Sequence, residues 1–150
     1  MSCERRIKNE MKNWPSDWLY GKDNNCIFIT LLNFMPKKII FLKIVLGDSY
    51  PFKQPTVFCN DNNIIKFYRD THSNPIKELQ DDMKLLTGKE CGCCQSFLCG
   101  DNWGPSIKIK DIIDEFCEMW IYWQRAIERF HCKKVTQKYL IEQLPIYEYL

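Results

Sequence analysis

The chain has 150 residues, a net charge of +2, 45% apolar and 27% charged side chains, and nine cysteines. That length holds one domain with a core of its own, without help from metals or disulfides. A charge so close to balance excludes a global basic field of the kind that draws a protein to nucleic acid or a membrane surface, and no run approaches the roughly 18 apolar residues of a membrane span.

The opening Met1-Ser2-Cys3-Glu4-Arg5-Arg6 passes directly into a charged helical pattern, so no signal peptide is expected. The cysteines, odd in number, are therefore expected to be mainly free thiols in a reducing compartment. A helix is predicted over residues 2–14, with Ser2 as cap, Ile7, Met11 and Trp14 on one face, and Pro15 as its stop. Arg5, Arg6, Lys8 and Lys12 lie mostly opposite, as a basic and by default solvated face.

After Trp18-Leu19-Tyr20, the polar residues 21–25 predict a turn. Cys26 to Phe34 and Ile39 to Leu46 are β-rich runs joined tightly through Met35-Pro36-Lys37-Lys38. Gly47-Asp48-Ser49 turns the chain, Tyr50-Pro51-Phe52-Lys53-Gln54-Pro55 is held extended by its prolines, and Thr56 to Cys59 is a further strand. Residues 60–90 read as irregular, with a short helix over Ile76 to Leu86. From Ile107 the pattern is helical. Ile109, Ile112, Ile113 and Phe116 form a stripe that Trp120, Trp123 and Ile127 continue toward Phe130–Cys132, and a last helix runs from Val135 to Leu144 before Pro145. Without repeat or linker, this is a single α+β domain over 1–150: N-terminal helix, antiparallel β-meander, active-site loop, then C-terminal helices.

The chemistry concentrates in Cys91-Gly92-Cys93-Cys94-Gln95-Ser96-Phe97-Leu98, which runs into Trp103-Gly104-Pro105-Ser106. A thiol set just before a rigid Trp-x-Pro corner resembles the active-site region of ubiquitin-conjugating enzymes, where a Cys-x-x-Ile-Leu run leads into Trp-Ser-Pro. Two further pieces agree in the right order. Arg5 to Met11 looks like that family's basic opening helix, and Tyr50 to Pro55 is similar to its Tyr-Pro-Phe-Lys-Pro-Pro turn. The resemblance covers residues 4–14, 26–59 and roughly 91–116. The chain departs from the family in lacking the Gly-rich hairpin. Its nearest match to His-Pro-Asn, His72-Ser73-Asn74, stands well upstream of Cys94 and implies an insertion around 75–90. From about residue 117 a helical, Trp-rich segment replaces the usual acidic loop.

The resemblance implies an enzyme that takes ubiquitin or a ubiquitin-like modifier from an activating enzyme as a cysteine thioester and passes it to a lysine or a ligase. It implies work in the cytosol or nucleus of a eukaryotic cell, with viral encoding open. Cys94 is the implied nucleophile because Phe97 and Leu98 then occupy the Ile-Leu positions; Cys93 and Cys91 follow in that order. Asn74, beside His72, is the implied oxyanion donor, and also a residue that forms a turn before Pro75. Phe52, Trp103, Pro105 and Ser106 match ligase-docking positions, and Arg5, Arg6 and Lys8 the face that meets the activating enzyme.

Two other readings stay open. One is a non-catalytic module of the same fold that binds proteins, its cysteines redundant or zinc-bound. The other, a cysteine hydrolase, would draw its base from His72 or His131. Zinc on Cys91, Cys93, Cys94 and Cys99, with Cys59 or His72, runs against spacing, since structural sites favour Cys-x-x-Cys pairs. No metal, cofactor, nucleic acid or membrane is therefore assigned, and the scattered glycines form no phosphate loop.

Overall fold

The computed structural model describes residues 3–35 and 38–142, with side chains throughout except at Asn33, Met35, Lys38 and 138–142. Ser2 as a cap, the Pro36-Lys37 connection and the Pro145 stop lie outside the described residues. Helix α1 (Cys3–Met11) is followed by strands β1 (Trp18–Asp23), β2 (Cys26–Met35), β3 (Lys38–Val45), β4 (Thr56–Cys59) and β5 (Asn62–Asn63). Helices α2 (Ile64–His72), α3 (Lys77–Thr87) and α4 (Ile109–Glu142) complete the order. The α+β class therefore stands, with a helix, a sheet and further helices in sequence.

The five strands form one antiparallel meander in chain order. Strict alternation places Ile27, Ile29 and Leu31 of β2 and Ile40, Leu42 and Ile44 of β3 on the inner face, all nearly free of solvent. Phe28, Ile39 and Phe41 stand exposed on the other. The inner face shares one core with Ile7 of α1, Trp14 of the turn that follows it (the helix ends at Met11, short of the expected residue 14), Ile64 and Tyr68 of α2, Met83 of α3 and the Ile109-Ile112-Ile113-Phe116 stripe of α4.

Four sequence expectations need correction. Residues 21–23 extend β1, because Gly21, Lys22 and Asp23 pair across to Phe28, Ile27 and Cys26; the turn is only Asn24-Asn25, with Asn24 at φ 54°. Tyr50 to Phe52 lies in a turn rather than an extended run, closed by Phe52 N–H donating to Ser49 O at 2.7 Å. The stretch after residue 60 holds α2, whose Asn63 side chain accepts from Ile65 N–H as an N-cap. Its Ile64, Tyr68, Thr71 and His72 are buried at helical spacing. Finally, α4 is continuous through Glu142 where two helices were expected. Trp120 and Trp123 pack on Phe67 at ring-centroid distances of 5.7 and 6.4 Å, so this aromatic segment covers the core.

One buried carboxylate ties distant segments together. Glu10, 7% exposed, accepts from Arg6 Nε at 3.0 Å, Tyr50 OH at 3.1 Å and the Ile109 N–H at 2.7 Å. Arg6 adds a bond to Ile107 O at 2.9 Å and lies over the Tyr50 ring. Thus α1, the Tyr-Pro turn and the first turn of α4 converge on a single side chain.

Helix α3 ends at Gly88, which adopts φ 69° and donates its N–H to Lys84 O. That left-handed cap releases the chain toward the cysteines. A Cβ at Gly88 would meet no atom within 4 Å, so only backbone strain opposes a side chain there. Gly88→Ala is expected to cost about 1 kcal/mol in urea denaturation, while Gly47→Ala, equally open and without a positive φ, stays within about 0.5 kcal/mol.

Candidate functional site

Residues 89–103 leave α3, pass under α2 and return to the start of α4. Gly92 sets their path. A Cβ on it would lie 1.7 Å from Tyr68 O and 2.8 Å from His72 Nδ1, so backbone packs on backbone at the end of α2. His72, 5% exposed, closes the same corner. Its Nδ1 meets Thr71 Oγ1 at 2.9 Å and its Nε2 meets Thr87 Oγ1 at 3.0 Å, linking the ends of α2 and α3. Burial, followed by the Lys84 charge, lowers its pKa.

The far half of the loop is pinned by α4. Glu115 accepts from Ser96 Oγ at 2.5 Å and from Phe97 N–H at 3.1 Å. Desolvation raises the pKa of this carboxyl against those two bonds. Asn102 Nδ2 donates to Cys94 O at 2.7 Å and to Ser96 O at 3.0 Å, and Ser96 N–H donates to Cys93 O. Ser96 and Leu98 are buried, so the loop is a packed element.

On this frame three sulfurs converge. Those of Cys91, Cys93 and Cys94 all lie within 4.8 Å of one another, and Cys91 and Cys93 are 3.4 Å apart. Cys94 is exposed and the other two are half-buried. None of the nine cysteines, all among the described residues, forms a disulfide. Hydrogen bonds to the Cys91 sulfur, from the Cys94 thiol first and the Cys93 backbone next, bring its pKa down to about 7. Burial, then the interaction with Cys91, pushes Cys93 up to about 12. Cys94 is raised as well, by its hydrogen bond to Cys91 and by the charge there. The accessible sulfur of the three is that of Cys94.

The remaining candidate residues fall into two groups. Trp103 is half-buried, with its Nε1 donating to Pro51 O at 2.8 Å and its ring 6.1 Å from that of Tyr50. Beside this joint, Phe52 is 76% exposed, and Pro105 and Ser106 are exposed too. Phe52 is therefore not part of the core. Arg5 and Lys8 are exposed on α1, but Arg6 is committed to Glu10 and Ile107. Asn74 forms a turn: its Oδ1 accepts from Ile76 N–H at 2.8 Å and its carbonyl accepts from the Gln80 side chain at the start of α3.

Sequence reasoning passed over Gly92, Asn102 and Glu115. The glycine between two cysteines was the visible signal. Glu115 gave none, being one acid among several on an amphipathic helix. No family model, curated protein or solved structure matches the chain. Among the described residues, no helix is long and apolar enough to cross a membrane.

Because the Gly92 position is closed by backbone, Gly92→Ala must lift the loop from α2. The expected result is a loss of about 2 kcal/mol in denaturant unfolding, with faster alkylation of Cys91 and Cys93 in the folded protein. An unchanged midpoint and unchanged alkylation would show the contact to be dispensable.

Proposed function

We propose that this chain is a divergent ubiquitin-conjugating enzyme, with Cys94 as the thioester nucleophile. One observation supports it above the rest: motif fragments far apart in sequence meet at the end of the loop that carries an exposed thiol. Glu10 of the opening helix holds Tyr50, the carbonyl of Pro51 accepts from Trp103, and Cys94 lies on the loop that Trp103 terminates. Such a joint braces the thiol segment against rigid elements, which is what acyl transfer to a positioned nucleophile requires.

In this reading the Cys94 thiolate attacks the thioester carbonyl carbon of the modifier on its activating enzyme. A new carbon–sulfur bond forms and the activating enzyme's cysteine leaves as thiolate. A lysine amine then attacks that carbonyl, the tetrahedral intermediate expels Cys94, and the nitrogen loses its proton. Alternatively, the modifier passes to a ligase. The oxyanion role falls to the Nδ2 hydrogens of Asn74, whose Oδ1 is taken up by its own turn. Phe52, Pro105 and Ser106 offer an exposed apolar and hydroxyl corner for a ligase, and Arg5 and Lys8 the α1 face for the activating enzyme.

The test is loading with ubiquitin, activating enzyme and ATP, resolved on a non-reducing gel. A thiol-sensitive band one ubiquitin heavier is expected for the wild type and for Cys91→Ser, and is lost in Cys94→Ser. Loss in Cys93→Ser alone would move the nucleophile by one position. Absence of any band with ubiquitin and the ubiquitin-like modifiers would overturn the reading and leave a protein-binding module of this fold.

A further inference from the structure

We propose that Cys91, Cys93 and Cys94 form a three-thiolate site for a thiophilic metal ion, with zinc as its occupant and an exchangeable ligand in the fourth position. The Cys-x-Cys-Cys spacing runs against zinc in sequence, since structural sites favour Cys-x-x-Cys pairs. The loop removes that objection. Gly92 seats against Tyr68 O and turns the chain between the first two cysteines, and their sulfurs come to 3.4 Å. The next turn, Ser96 N–H to Cys93 O, folds Cys94 back so that its sulfur joins them within 4.8 Å.

The sizes agree. A zinc–sulfur bond of about 2.3 Å in tetrahedral geometry places neighbouring sulfurs about 3.8 Å apart. Closing on an ion therefore asks for small rotations of three side chains rather than movement of the backbone. That backbone is already held along the loop: at Gly92, next to Cys91, by α2, at Cys93 O by Ser96 and at Cys94 O by Asn102. Prior ordering of this kind lowers the cost of binding. Soft thiolates select zinc or copper(I) over hard cations. Among the described residues, no other set of three His, Cys, Asp or Glu side chains converges in this way.

The fourth position falls to a ligand from outside the chain. His72, which packs on Gly92, has both nitrogens engaged by threonine hydroxyls, and Cys99 is not part of the converging set. Exposure of Cys94 leaves that side open to solvent. Three protein ligands with an open position is the coordination that lets zinc exchange ligands. This site stands on sulfur geometry and does not depend on the conjugation reading. Metal and acyl group would compete for the Cys94 sulfur.

The test uses reduced, chelator-treated protein titrated with Co2+, followed by the thiolate-to-cobalt charge-transfer absorption, then with Zn2+. The expected result is saturation at one ion per chain and complete displacement of the absorption by Zn2+. Cys91→Ser, Cys93→Ser and Cys94→Ser should each weaken binding at least about 100-fold, whereas Cys99→Ser and Cys132→Ser leave it unchanged. Cys94 is exposed, so its serine variant retains the fold and keeps the test decisive even if the half-buried positions do not tolerate serine. No saturable band, a band that survives Cys94→Ser, or loss in Cys99→Ser would overturn the three-thiolate site. None of these readouts involves ubiquitin or its activating enzyme, so failure here and failure of loading are separate results.

Discussion

A single buried carboxylate sets the relation between the parts of this molecule that matter. Glu10 leaves the solvated face of α1, turns inward and accepts from Arg6, Tyr50 and the Ile109 N–H. Burying a carboxylate is costly unless its oxygens are met by donors, and these three donors come from segments far apart in the chain. The arrangement therefore stabilises only one mutual placement of α1, the Tyr-Pro turn and the start of α4. Tyr50 is bound in turn: burial and the Glu10 charge hold its hydroxyl well above the usual tyrosine range, so it stays a donor. From that fixed point the geometry runs outward, through Pro51 to Trp103 and along the loop to the cysteines.

That dependence explains which parts of the fold were legible in the sequence. Ile27, Ile29 and Leu31 alternate with Phe28 and Thr30, and the period of two is enough to place a strand and its inner face. The helical stripe of α4 was as plain. Helix α2 was missed because its polar approach, Asn60 to Asn63, looks like loop, although Asn63 is its cap and Ile64, Tyr68 and Thr71 mark its buried face. Two helices were expected, one reaching Phe130–Cys132 and another from Val135, where α4 is one. Helical hydrogen bonding continues there, with Arg129 and Lys133 3.7 and 4.0 Å from Asp82 of α3.

The site was legible only in part, for a physical reason. Cysteine spacing reports where thiols sit along the chain, not where a turn sends them. Convergence of Cys91, Cys93 and Cys94 depends on Gly92 meeting Tyr68 O and on Asn102 clamping Cys94 O, contacts between residues with no pattern in common. Exposure of Phe52 followed the same logic. Its neighbour Pro51 is bound to Trp103, which leaves the phenyl ring to solvent. Asn74 shows the opposite case, where the ordinary local chemistry of Asn before Pro accounts for its bonds.

The thiol loop thus rests on two supports: α2 and α4 grip it directly, and the Glu10 cluster fixes where α4 begins. Measuring Glu10→Gln by denaturant unfolding together with amide hydrogen exchange tests this most directly. The account predicts a loss of about 2 kcal/mol, the scale of a charge-assisted bond to buried donors, with protection falling at Ile109 and across the loop after Pro51. Stability within about 0.5 kcal/mol of the wild type, with Ile109 still protected, would contradict it.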